Sequence, residues 1–312
     1  MNTTNTPSNA MHKSPLESRE VAPVVQSATR PFYWSVRREL WENRSIYIAP
    51  LAAAGVILFG HLISVIRLPA KMRAFSTLDV AQQHEIVTKH YVIASGLLMV
   101  VALVVGVFYC LDALYGERRD RSILFWKSLP VSDVRTVLSK ASIPLVVLPL
   151  LTVALTVATQ FLMLIPSLVV LLGAGISVAP YLTELSLFQT SAGLFYHLFT
   201  VHVLLHAPFY CWFLLVSAWA RRAPFLWAFL PPLAICVVEK IAFSSTHFAD
   251  MLLAQLSGGS EAVTMPDRMP MEAGVQFTPG HFLLSPGLWI GLVIAAIFLA
   301  AAVRLRHNRE PI

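Results

Sequence analysis

The stretch Ile143–Ala179, IPLVVLPLLTVALTVATQFLMLIPSLVVLLGAGISVA, runs for 37 residues without a charge. A helix needs roughly 20 apolar residues to cross the hydrocarbon of a bilayer. The stretch is therefore long for one span and short for two with a turn between them. Pro144, Pro149 and Pro166 punctuate it. Whether it crosses once or twice sets the sidedness of everything that follows. The remainder of the chain names the same solvent. Of 312 residues 56% are hydrophobic and 13% charged, against about a quarter charged in a soluble domain. Mean hydropathy is +0.67. So few charges cannot cover a water-soluble protein of this length, and a disordered chain is never this apolar. An ordinary soluble enzyme is excluded.

Other apolar runs lie at about 46–66, 91–111, 194–220, 224–243 and 288–303, with 143–176 taken as one span. Basic residues arbitrate the count. Lys13, Arg19, Arg30, Arg37, Arg38 and Arg44 precede the first run, and Arg118, Arg119, Arg121, Lys127, Arg135 and Lys140 fall between the second and third. Arg221 and Arg222 follow the fourth, and Arg304, Arg306 and Arg309 close the chain. With six spans these 17 of the 23 Lys and Arg share one side. Two spans in the long stretch would send the last five across. Cytoplasmic loops collect Lys and Arg, so six spans with both termini cytoplasmic are expected, in a plasma (inner) membrane. The surplus length is then a tilted long helix or a re-entrant piece near Pro166. The net charge of +6 reports orientation and implies no nucleic-acid partner.

Residues 1–29, rich in Ser, Thr, Asn and Pro without an apolar core, read as a mobile cytoplasmic tail with no signal peptide. In PFYWSVRRELWENR, Pro31–Arg44, Phe32, Val36 and Leu40 recur every four residues, flanked by Tyr33 and Trp41. That pattern predicts an interfacial amphipathic helix over 30–45, leaving 46–312 as a single six-span domain. Cys110, Cys211 and Cys236 sit inside apolar runs and match no zinc or redox spacing.

The loop at 112–142, DALYGERRDRSILFWKSLPVSDVRTVLSKAS, mixes dense charge with Ile123, Leu124, Phe125, Trp126, Leu129 and Val131. Chain reversal alone needs no such block, and an exposed apolar patch marks a partner site. Ser122 is placed to cap a short helix that Pro130 ends.

This segment resembles the type-2 permeases of ABC exporters (the ABC-2 family). There a Glu after the second span is followed four residues later by Gly-Thr, then by Pro-Val, and a Lys opens the third span. Glu117, Pro130-Val131 and Lys140 match, with 13 residues from Glu117 to Pro130 and 10 more to Lys140. Arg121-Ser122 replaces Gly-Thr, and Leu124 stands where a second acid is common. The resemblance implies an all-α six-span membrane fold with a cytoplasmic coupling helix and a re-entrant outer loop. It implies that two copies of the permease pair within membrane lipid, driven by a separate dimer of ATPase subunits that binds ATP and Mg. Glu117, Arg118, Arg121, Ser122, Phe125, Trp126, Leu129, Pro130, Val131 and Lys140 would couple to that ATPase. No GxxxxGK[ST] phosphate loop occurs in this sequence, so the chain itself is expected to hold no cofactor and to be no enzyme.

Ionisable or helix-breaking residues at membrane depth are candidates for a translocation path. They are His61, Ser95, Pro231, Pro232, Glu239 and Lys240, and the Pro pair is expected to break the fifth span. His202 and His206, four apart on one helix face, have a metal-holding spacing. Met265, Met269 and Met271 are thioethers of the kind that select Cu(I). No carboxylate accompanies the His pair and no His or Cys the Met trio, so no metal is expected. An ion-coupled secondary transporter would show paired acids in mid-membrane, where only Asp112 comes near. A non-transporting scaffold would keep the docking patch without needing a broken fifth helix.

Overall fold

A computed structural model describes residues 29–73, 80–122, 132–185, 192–193, 195–196, 198–257 and 286–308. Every regular element among them is helical. A helix satisfies its backbone N–H and C=O groups within its own segment, which hydrocarbon demands. Among the described residues five helical runs are long and apolar enough to cross a membrane: Ser45–Arg73, Gln82–Arg119, Asp133–Gly173, Pro224–Phe243 and Pro286–Asn308. The chain is an all-α, membrane-embedded protein.

In chain order, α1 (Thr29–Glu42) leads into α2 (Ser45–Ser64), a 3-10 turn and α3 (Leu68–Arg73). Next come α4 (Val80–Ala113), α5 (Tyr115–Arg119) and α6 (Asp133–Ser142), which passes through a π-helical segment, Ile143–Val147, into α7 (Leu148–Gly173). A short α8 (Ala179–Glu184) and a second π segment, Leu198–Leu205, precede α9 (Ala207–Trp219). The chain continues through α10 (Pro224–Phe243), α11 (His247–Ser257) and α12 (Pro286–Asn308).

The long apolar stretch is one helix, and Pro166 lies inside it, so no re-entrant piece forms there. It ends in a Schellman turn. Gly175, at φ +69°, donates to Leu172 O at 3.0 Å, and Ile176 donates to Leu171 O at 3.0 Å. These bonds satisfy carbonyls the helix leaves open, and glycine takes the left-handed residue without a Cβ clash.

Within the run expected as a fourth span, 194–220, residues 198–219 form two helical pieces joined at His206. The 13 residues of α9 rise roughly 20 Å, short of the hydrocarbon core. Pro208 has no N–H to continue the preceding helix. The amides of Phe209 and Tyr210 both turn to His206 O, and Gln255 Nε2 of α11 donates to Leu205 O at 2.9 Å. α9 is nevertheless well enclosed, with Tyr210, Cys211, Phe213, Leu214, Val216, Ser217 and Ala218 buried against α4 and α12. At its crossing with α4, a Cβ on Gly106 would sit 2.9 Å from Tyr210 Cε1 and 3.3 Å from Leu148 Cδ2. The position admits only hydrogen.

Pro231 and Pro232 do not break α10, which runs on as one helix. Pro232 cannot donate to Ala228 O, and Trp212 Nε1 does so instead at 3.0 Å. A neighbouring side chain thus repairs the ladder.

Candidate functional site

The helical registers that bury α1 and α12 also carry charges inward. On α1 the stripe of Phe32, Val36 and Leu40 brings Glu39 to the protein face, where it is fully buried. On α12 the stripe of Ala295, Leu299 and Ala302 leads to Arg306, 4% exposed. Between them stand Glu117 of α5 and Lys140 of α6, the two ends of the stretch that resembles the ABC-2 motif.

Lys140 Nζ lies 2.9 and 3.0 Å from the two oxygens of Glu39 and 3.1 Å from Glu117 Oε1. Arg306 bonds Glu117 Oε2 through Nη1 and Asp133 Oδ1 through Nε at 3.1 Å. Arg38 Nη2 pairs with Glu39 Oε1 at 2.8 Å and approaches Glu117 Oε1 at 3.6 Å. Tyr109 OH donates to Glu39 Oε2 at 3.0 Å. Glu39, Glu117 and Asp133 therefore face Arg38, Lys140 and Arg306, three charges of each sign. Buried charge persists only when so paired, since each ion has given up its hydration. At the rim Arg38 also reaches Glu42 at 3.5 Å, whose carboxyl is raised by partial burial against the pull of that guanidinium.

The network brackets the loop. On its entry side Ser217 Oγ accepts from the amides of Leu114 at 3.0 Å and Tyr115 at 2.8 Å, pinning the break between α4 and α5. Arg118 Nη1 donates to Ala218 O. On its exit side Ser132 Oγ caps α6 by accepting from Arg135 N at 3.3 Å. The described residues on either side of 123–131 are thus both anchored. Arg121, where the resembled family has Gly, sits at φ +58°, the left-handed region in which a side chain is unfavourable.

Phe125, Trp126, Leu129, Pro130 and Val131 lie outside the described residues, as does the helix expected to begin at Ser122. Ser122 Oγ itself donates back to Glu117 O at 3.4 Å. Met265, Met269 and Met271 lie outside as well.

The residues singled out for a path are not brought to one place. His61 is buried at the far end of α2, where its Nε2 faces Met163 O at 2.9 Å and Ser167 Oγ at 3.1 Å. Beside it the Tyr91 and Tyr181 hydroxyls meet at 3.1 Å. Ser95 is buried, and its hydroxyl returns to the carbonyls of Tyr91 at 3.0 Å and Val92 at 2.9 Å. Glu239, on α10, instead accepts from Ser245 Oγ at 2.8 Å and from the amides of His247 at 2.8 Å and Phe248 at 2.9 Å. It caps α11, as a carboxylate at a helix N-terminus does. Lys240 is exposed. His206 Nε2 donates to Leu256 O at 3.1 Å. Among the described residues no three His, Cys, Asp or Glu gather as metal ligands.

Glu39, Asp133, Arg306, Tyr109 and Ser217 escape a search for motifs. Glu39 and Arg306 do carry a signal, because each is a charge placed on the apolar stripe of its helix. No protein-family model, curated protein or solved structure matches the chain.

Proposed function

We propose that this chain is the membrane-spanning permease subunit of an ATP-driven exporter of the ABC-2 type. Two copies pair around a translocation path, and a separate ATPase dimer docks on the loop around Glu117–Lys140. The observation that carries this reading is the buried network in which Lys140 touches Glu117 while both are tied to α1 and α12. A push on residues 123–131 would be delivered through short ionic contacts to four helices at once. A loop that only reversed the chain has no use for that stiffness. The left-handed Arg121 supports the alignment, since a turn of that hand explains a glycine at this position in the resembled family.

In this reading the π segment and α9, Leu198–Trp219, make the fourth of six spans, and both termini are cytoplasmic in the inner membrane. The segment after α10 folds back toward α9 through Gln255 and His206 as part of the outer re-entrant loop. α10 is the least enclosed span, with Ala228 its one buried residue, and offers a face for the second copy.

Co-purification with the ATPase encoded beside the chain, followed by ATP turnover in proteoliposomes, tests the proposal. A complex is expected whose turnover falls on Phe125→Asp and on Glu117→Ala. Failure of the wild-type chain to bind that ATPase, or turnover indifferent to both variants, removes the exporter reading.

A further inference from the structure

Between α1 and the α6–π junction lies an open groove of about 890 Å³, the size of a small-molecule site. Phe32, Tyr33 and Val36 of α1 form one wall, and Arg135, Leu138 and Val146 the other. We propose that this groove binds an anionic phospholipid, its phosphate at Arg135 and an acyl chain along Leu138 and Val146. The inference is independent of the transport reading.

Three observations converge on that occupant. The first is gradient. Arg135, Leu138, Ser142 and Val146 follow at helical spacing down one side of the groove, about 16 Å from cation to apolar end. The helix that carries them continues into the apolar run to Gly173. A ligand filling this shape is charged at one end and aliphatic at the other. The second is charge. Arg38, Lys140 and Arg306 each face a carboxylate, whereas Arg135 has no ion pair among the described residues. Its counter-ion is to be supplied from outside. The third is depth. Tyr33, Trp34 and Trp41 are all more than half exposed, and Arg37 lies 5.1 and 4.6 Å from the two indole rings. Aromatic and basic side chains of this kind lodge at headgroup level, which sets the groove where lipid phosphates lie.

Native mass spectrometry of the delipidated full-length chain, titrated with phosphatidylglycerol or phosphatidylcholine, decides the matter. Wild type is expected to bind phosphatidylglycerol in preference. Arg135→Gln should weaken that lipid about fivefold, the worth of one basic residue at a membrane surface, whereas Arg135→Lys keeps the preference. Leu138→Trp fills the groove and should remove tight binding of either lipid. Unchanged gel-filtration and melting profiles qualify each variant as folded. Wild type that does not discriminate, as expected were the groove filled by a protein segment or a second copy, overturns the proposal. So does Arg135→Gln that still discriminates, or Leu138→Trp that still binds.

Discussion

The helical run from Asp133 to Gly173 carries buried polar side chains toward both ends, Lys140 at one and Ser167 at the other, but the two clusters are built from different chemistry. At the loop end Lys140 stands among Glu39, Glu117, Arg38 and Arg306, with every partner an ion. At the opposite end Ser167 meets His61, and Tyr91 meets Tyr181, through groups drawn from four helices. Removing one member of the first strands a charge in a dry place, which is far costlier than breaking a bond between neutral groups. The loop end is accordingly stiff and intolerant, the opposite end adjustable. On the proposed exporter reading, that would put stiffness where force enters and tolerance where the path must open.

Lys140→Met gives the comparison its harshest test. It leaves Glu39 and Glu117 without the ammonium between them, and should cost about 3–5 kcal/mol, read as a lower melting temperature in detergent. Adding Glu39→Gln to it should restore much of the loss, because the stranded charge is then gone. If Lys140→Met melts like wild type, the network is not the brace of the loop end.

Midway along the membrane, Gly106→Val forces a side chain against Tyr210 and Leu148, which lie within 3.3 Å of a Cβ. Overpacking of that kind costs about 1–3 kcal/mol. A neutral result by thermal unfolding would show the α4–α9 crossing to have room for a side chain at Gly106. At the opposite end, Tyr181→Phe breaks the buried hydrogen bond between the Tyr91 and Tyr181 hydroxyls. A loss of about 1–2 kcal/mol is expected, well below that of Lys140→Met. Equal losses at the two ends would erase the distinction between them.

The same contrast explains what the sequence could and could not tell. Apolar runs mark spans because length and composition are all that hydrocarbon asks, but the 37-residue stretch is ambiguous by length and takes the placement of Lys and Arg to read as one span. At 194–220 composition marks a span but does not reveal that a π segment, Leu198–Leu205, precedes the α-helix that opens near Pro208. Glu117 and Lys140 stood out by spacing. Glu39 and Arg306 did not, since the bonds that matter join residues 101 and 189 positions apart, and no local pattern records such a pairing. Only their place on an apolar stripe betrays them. Glu239 differs, because its partners are local, 6 to 9 residues on. Its chain position suggested a path, whereas its partners are the amides that open α11.

Arg121 offers the smallest effect and the finest discrimination. Its φ of +58° is paid for by every residue except glycine, at about 1–2 kcal/mol. Arg121→Gly removes that penalty but adds flexibility to the unfolded chain, worth about 0.5–1 kcal/mol in the other direction. A net gain of about 0.5 kcal/mol is expected, whereas Arg121→Ala, which keeps a Cβ, should gain nothing. The difference between these two variants isolates backbone hand from loss of the guanidinium. If alanine stabilises as much as glycine, the turn is not held left-handed, and the glycine of the resembled motif has no counterpart in the geometry of this loop.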